Sequence, residues 1–192
     1  SLSEYANQSL DKNYYEGMRI GEIWGFVSNG LWQDQASIDA AEAAAKAAGQ
    51  SYYNPLMQTS KTYKLYPGDI KFEDLNGNGY IDRGQNTVDD PGDRKIIGNS
   101  TRRYQYGIHG GASWKGFSLS FLLQGVGKRD LWIMNDLFYP HYDAWTTVYD
   151  TQLNYWTPER TDSYFPRLYE KAAGNTAANT RIQTRYLQDG SY

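Results

Sequence analysis

A mainly β fold with short surface helices is predicted, and three features of the sequence predict it. Aromatic residues make up 16% of the 192 positions, with 18 Tyr and 6 Trp beside 19 Gly; these types favour strands and the tight turns between them. Two adjoining segments, 104–114 and 117–126, alternate apolar side chains with polar ones or glycine, the period-two mark of a strand. No run of about 18 apolar residues occurs, so a membrane-crossing helix is not expected.

The remaining totals exclude more than they assign. A net charge of −3 gives no basic face for a nucleic-acid partner. The absence of cysteine removes disulfides, thiolate metal sites and cysteine nucleophiles together. No signal-peptide pattern opens the chain. The two histidines, His109 and His141, stand far apart, and no pair of acids reads as a positioned acid and base. GVGK at 125–128 lacks the earlier glycine and the following Ser or Thr of a phosphate loop. No enzymatic activity is expected.

Taken in order, residues 1–34 read as short extended pieces joined by turns, as in YYEGMRIGEIWGFVSNGLWQ. SIDAAEAAAKAAGQ then predicts a helix, with Ser37 as its cap, Asp39 and Glu42 in the first turn and Gly49 at its end. Its apolar face is alanine, which buries little area and suits a surface position. PGDIKF reads as a short strand entering an acidic loop. From Lys128 onward, one or two short helices broken at Pro140 are expected, followed by a turn-rich, loosely constrained tail through 172–180. The organisation expected is a loop segment over 1–66, the acidic loop within 67–101, a hairpin over 102–126 and a second loop segment over 127–192.

The acidic loop DLNGNGYID follows the template D-x-[DN]-x-[DN]-G, with Asp74, Asn76, Asn78 and Gly79 in place. The Tyr80 carbonyl and Asp82 add oxygens further on. Calcium takes about six to eight oxygens, and alternate residues of a tight loop point inward to supply them. Gln85 stands where a bidentate carboxylate is usual, so a later acid would have to close the shell: Asp89, Asp90 and Asp93 are available. The other reading is a pair of Asn-Gly turns with solvated acids.

In the hairpin, Tyr104, Tyr106, Ile108, Gly110, Ala112 and Trp114 share one face and Gln105, Gly107, His109, Gly111 and Ser113 the other. Phe117, Leu119, Phe121 and Leu123 alternate with Ser118, Ser120, Leu122 and Gln124. Two segments of this length with one apolar face suit a transmembrane β-hairpin with aromatic ends. The same alternation suits a hairpin of a soluble sandwich, so this pattern leaves both readings open.

PGDIKFEDLNGNGYID followed by DRKIIGNSTRRYQYGIHGGASWKGFSLSFLLQGVGKRD resembles the late barrel region of SusC/RagA-type TonB-linked outer-membrane receptors. GEIWGFVSNGLWQDQASIDA upstream, and YWTPERTDSYFPRLY and RYLQDGSY downstream, are similar to family segments in the same order. The family's last loop acid corresponds to Asp93, with RGQNTVDDP inserted before it. The resemblance implies a fragment of a large transmembrane β-barrel: one hairpin plus long extracellular loops, shaping the outer vestibule of a receptor in the outer membrane. It implies import of glycan or peptide fragments, a SusD-like surface lipoprotein as partner, and coupling to the TonB complex through a part outside this chain. A calcium ion on Asp74, Asn76, Asn78, Tyr80, Asp82 and Asp93 would then staple an outer loop. The alternative is a soluble secreted calcium-binding carbohydrate module, which would need further strands to cover Phe117, Leu119, Phe121 and Leu123. For the isolated piece, that stripe is expected to be covered by the chain's own loops or by self-association.

Overall fold

Pairing at a distance organises the chain. The structure, a computed structural model, describes residues 10, 15–52, 64–133, 135, 138–139, 148–169 and 174–192. Its strands are β1 (Glu22–Phe26), β2 (Ser28–Leu31), β3 (Ile70–Phe72), β4 (Arg94–Asn99), β5 (Arg103–Trp114), β6 (Phe117–Lys128), β7 (Asp130–Trp132) and β8 (Leu187–Asp189). They form four antiparallel pairs: β1 with β4, β2 with β3, β5 with β6 and β7 with β8. Among the described residues they are joined by two α-helices, α1 (Gln35–Ala47) and α2 (Gly174–Asn179), and by short 3-10 turns. The fold is mainly strand with few helices. No helix among the described residues is long and apolar enough to cross a membrane.

The hairpin forms where alternation placed it, and β6 runs on to Lys128. Lys115 and Gly116 both hold positive φ, 46° and 87°, the two-residue turn whose twist matches that of paired strands. Register runs from Trp114 opposite Phe117 to Arg103 opposite Lys128.

Three expectations need correcting. Helix α1 starts earlier than predicted because Asp34, not Ser37, is its cap. Asp34 is extended (φ −146°, ψ 160°) and its carboxylate accepts the Ser37 N–H at 2.7 Å. Ser37 Oγ donates instead to the Asp34 carbonyl at 3.0 Å, and Asp39 and Glu42 fall outside the first turn. Nor is the helix held by alanine alone, since Ile38 is fully buried with Ala45.

The second correction is at 130–132, a strand and not a helix, because β8 supplies a partner from the far end of the chain. Residues 150–152 make a single 3-10 turn, while Pro140 and His141 lie outside the described residues. The third is the tail. Residues 174–179 are helical, and Asn175, Thr176, Ala178 and Asn179 are buried.

What buries that tail is a carboxylate. Asp69, inaccessible to solvent, accepts the Tyr66 N–H at 2.9 Å and the side-chain amides of Asn175 (2.8 Å) and Asn179 (3.0 Å). Asn179 Oδ1 in turn accepts the Ile70 N–H at 3.0 Å. Burial pushes the Asp69 carboxyl above its ordinary range, and the donors from Asn179, Tyr66 and Asn175 oppose that shift. Around this clamp lies the core, including Phe26, Trp32, Ile38, Phe72 and Tyr186. Its aromatic part packs edge-on: Tyr164 and Phe165 stand 4.9 Å apart at 87°, and Phe138 and Tyr186 5.8 Å apart at 87°, a favoured arrangement of ring quadrupoles. Gly68, at φ +95°, lies against the Trp156 ring, where an added Cβ would come within 2.5 Å.

Replacing Asn179 by Ala should cost about 3 kcal/mol, since a buried carboxylate loses a donor and a buried N–H its acceptor. Hydrogen exchange across 66–72 should accelerate markedly in the variant. Unchanged protection at Ile70 would show that the clamp does not hold this region.

Candidate functional site

The hairpin register puts every alternation on the same side of the sheet. Opposed residues share a face. Ile108 meets Leu123, Gly110 meets Phe121, Ala112 meets Leu119 and Trp114 meets Phe117 on one face. Gly107 meets Gln124, His109 meets Leu122, Gly111 meets Ser120 and Ser113 meets Ser118 on the other, where the two serine hydroxyls bond at 2.9 Å. The apolar face has no cover. Phe117 is 79% exposed, Leu119 69% and Phe121 46%. Of the two covers expected for an isolated piece, the chain's own loops are therefore not the one, among the described residues. His109 is exposed on the polar face.

Glycine lets aromatic rings lie flat along this sheet. A Cβ on Gly110 would meet the Phe121 ring at 2.5 Å, and one on Gly125 would meet Tyr106 at 2.4 Å. Each ring thus covers backbone that its glycine partner leaves bare. Near the other end, Val126 and Tyr192 exchange backbone bonds of 2.7 and 3.0 Å. The last residues therefore lie along the outer edge of β6.

The predicted loop residues join one hydrogen-bonded turn, Tyr80 through its N–H. Asp74 accepts the N–H groups of Gly77 (2.6 Å) and Gly79 (2.7 Å). Asn76 Oδ1 accepts from the Asn78 N–H and Asn78 Oδ1 from the Tyr80 N–H, both at 3.0 Å. The Asn78 amide donates to Asp82 at 2.9 Å. Asp93, fully buried, returns across the RGQNTVDDP stretch to accept from Leu75 (2.8 Å) and Asp82 (2.7 Å). Burial raises its carboxyl, the backbone donors lower it, and Asp74 nearby raises it further. The later acids differ: Asp90 accepts the Gln85 N–H at 3.0 Å, while Asp89 is exposed.

The donor set is hard oxygen, as calcium requires. Its carboxylates are turned onto backbone N–H groups, however, and among the described residues no three His, Asp or Glu side chains gather at a metal-binding site. The arrangement is a self-satisfied turn and not an open cage.

Two further groups escaped the sequence reading. Tyr52 is tied to the end of the loop, its carbonyl accepting the Ile81 N–H at 2.6 Å, and burial, then Asp74 and Asp93, push its phenol up to about 12; nothing in its sequence neighbourhood signals this. A cavity of about 400 Å³ is lined by Tyr15, Trp24, Glu22 and Trp132, among others. Tyr15 and Trp24 stand edge-on at 6.4 Å. Trp24 Nε1 donates to the Tyr15 hydroxyl at 3.2 Å, which donates to the Glu22 carboxylate. The YYEG and GEIWG segments signal the aromatic content of this cavity, but Trp132 reaches it only through folding.

Changing Asp93 to Ala should strip acceptors from the Leu75 and Asp82 N–H groups together and cost the loop about 2–4 kcal/mol. Limited proteolysis within 74–93 should speed up accordingly. A loop cut no faster in the variant would show that Asp93 does not hold it.

No family model matches this chain. The chain is similar to a TonB-dependent receptor of Formosa agariphila, with 28% identity over 178 residues. That stretch is 92% of this chain and 14% of the receptor. The chain thus spans a small part of the length of the relative it matches, and along that part it resembles a TonB-dependent receptor.

Proposed function

We propose that this chain is a section of a TonB-dependent outer-membrane receptor, with β5 and β6 as adjacent strands of the barrel wall. The observation that carries this reading is the hairpin's exposed apolar face, in register over its whole length. Twelve residues per strand at about 3.4 Å each, tilted by about 40°, cover about 30 Å. That length fits an apolar band about 25 Å tall with an aromatic girdle at each edge: Tyr104 and Tyr106 at one end, Trp114 and Phe117 at the other. A soluble sandwich would have to cover this face with further strands, and the described residues place none there.

The tight turn at 115–116 faces the periplasm in this reading, since barrels of this type keep short turns there and long loops outside. The acidic loop and the segments after Lys128 then face outward. The motifs shared with SusC/RagA-type receptors support import of an oligosaccharide or peptide, a SusD-like lipoprotein partner, and TonB coupling through a part outside this chain. The cavity of Tyr15, Trp24 and Trp132 beside Glu22 supports the oligosaccharide in particular, because sugar rings stack on aromatic faces and bond to carboxylates. In isolation the piece is proposed to self-associate through its apolar face.

The decisive experiment places an arginine on each face in turn. Leu119→Arg or Phe121→Arg in the full receptor should cost about 2–4 kcal/mol near the bilayer midplane, read as loss of folding into lipid vesicles. Ser120→Arg, on the opposite face, should leave insertion intact. Equal tolerance at all three positions would end the membrane-strand reading.

Calcium binding is proposed for the loop formed by Asp74, Asn76, Asn78, Tyr80, Asp82 and Asp93. The concentration of hard oxygens and the burial of Asp93 near Asp74 support it, and binding there requires Asp74 and Asp82 to exchange backbone N–H partners for the ion. Calorimetric titration of the chelator-treated receptor should show one binding event that Asp82→Ala abolishes. Binding that survives this change, or no binding at all, would remove calcium from the loop.

A further inference from the structure

The acidic loop contains two Asn-Gly pairs in succession, Asn76-Gly77 and Asn78-Gly79. Such pairs are the most reactive in proteins toward loss of the side-chain amide. The glycine nitrogen attacks the asparagine Cγ, forming a bond from nitrogen to Cγ. The bond from Cγ to Nδ2 then breaks, and the amide departs as ammonia carrying the glycine proton. Water opens the resulting cyclic imide at either carbonyl, leaving aspartate or isoaspartate. Glycine permits this because no Cβ obstructs its nitrogen.

Burial does not prevent the reaction here. Asn76, Gly77 and Gly79 are exposed and Asn78 is half-buried, so water has access. What opposes it is hydrogen bonding. One carboxylate, Asp74, holds both attacking nitrogens: the Gly77 N–H at 2.6 Å and the Gly79 N–H at 2.7 Å. Attack requires the glycine N–H to lose its proton, and an adjacent negative charge disfavours the anion that results. The asparagine side chains are also held, Asn76 on the Asn78 N–H and Asn78 between the Tyr80 N–H and Asp82.

From this geometry we infer that Asn76 and Asn78 are latent deamidation sites and that Asp74 is the positioning residue that keeps them unreacted. Reaction at either adds a negative charge next to Asp74 and Asp82. The isoaspartate product also adds a methylene to the main chain of a turn whose glycines sit at φ +74° and +87°. Release of the Asp74 clamp would therefore change the loop irreversibly. The inference rests on the loop alone and does not depend on what the receptor carries.

The chain provides its own reference. Asn29-Gly30, in β2, is also exposed and carries no such carboxylate clamp among the described residues. The full-length protein, held at mildly alkaline pH with chelator and mapped by tryptic mass spectrometry, reads all three sites at once. Asn76 and Asn78 should convert about tenfold more slowly than Asn29, because each glycine N–H must first leave a charged acceptor. Asp74→Ala should bring them to the Asn29 rate. A synthetic 72–83 peptide should react equally fast with Asp or Ala at position 74, because the clamp exists only in the fold. Wild-type Asn76 and Asn78 keeping pace with Asn29 would overturn the inference. So would unchanged rates in the variant, or an Asp74 effect in the free peptide.

Discussion

An apolar sheet face has to be covered by something, and the antiparallel register of β5 and β6 decides which residues need covering. With Trp114 opposite Phe117, every later pair inherits its side of the sheet; a slip of one residue would move the whole apolar set across. Burying six of them, Tyr106, Ile108, Phe117, Leu119, Phe121 and Leu123, is worth on the order of 10 kcal/mol at about 1.5–3 each. On the proposed reading, a hairpin that leaves them bare meets lipid instead of water. Glycine opposite Phe121 and Tyr106 lets the rings lie along the strand, which smooths that face while shielding backbone.

The region beyond the hairpin follows a different logic. It has its own core of aromatic and aliphatic residues, and each short strand in it is paired with one distant in sequence. Short strands of three to six residues are weak alone, so the region depends on side-chain clamps. Asp69 fastens the stretch before β3 to α2, and Asp93 fastens the acidic loop to the approach of β4. In both, a buried carboxylate gathers donors from separate segments, and charge-assisted bonds offset part of its desolvation. Asp74 does the same locally, on two glycine nitrogens. Acidic residues in this region therefore act first as acceptors for the chain itself.

Local patterning was legible in the residues. The period-two alternation of 104–126 fixed the hairpin, its faces and its turn, because a strand's side chains alternate without help from elsewhere. The spacing of Asp74, Asn76, Asn78 and Asp82 fixed an oxygen-rich loop bent at Gly79, and the order of motifs across the chain pointed to a TonB-linked receptor, the broad class in which the comparison also found a similar protein. Tertiary structure alone decided the rest. Asp34 replaced Ser37 as the cap of α1, a choice between neighbouring acceptors set by backbone angles. Residues 130–132 became a strand because Leu187–Asp189 lies beside them, and the Ala/Asn/Thr stretch became helical because Asp69, more than a hundred residues earlier, takes the amides of Asn175 and Asn179. The loop's carboxylates turned to backbone N–H groups instead of a common centre. Spacing determines which oxygens are near, whereas the competition among their partners is settled only when the chain is folded around them.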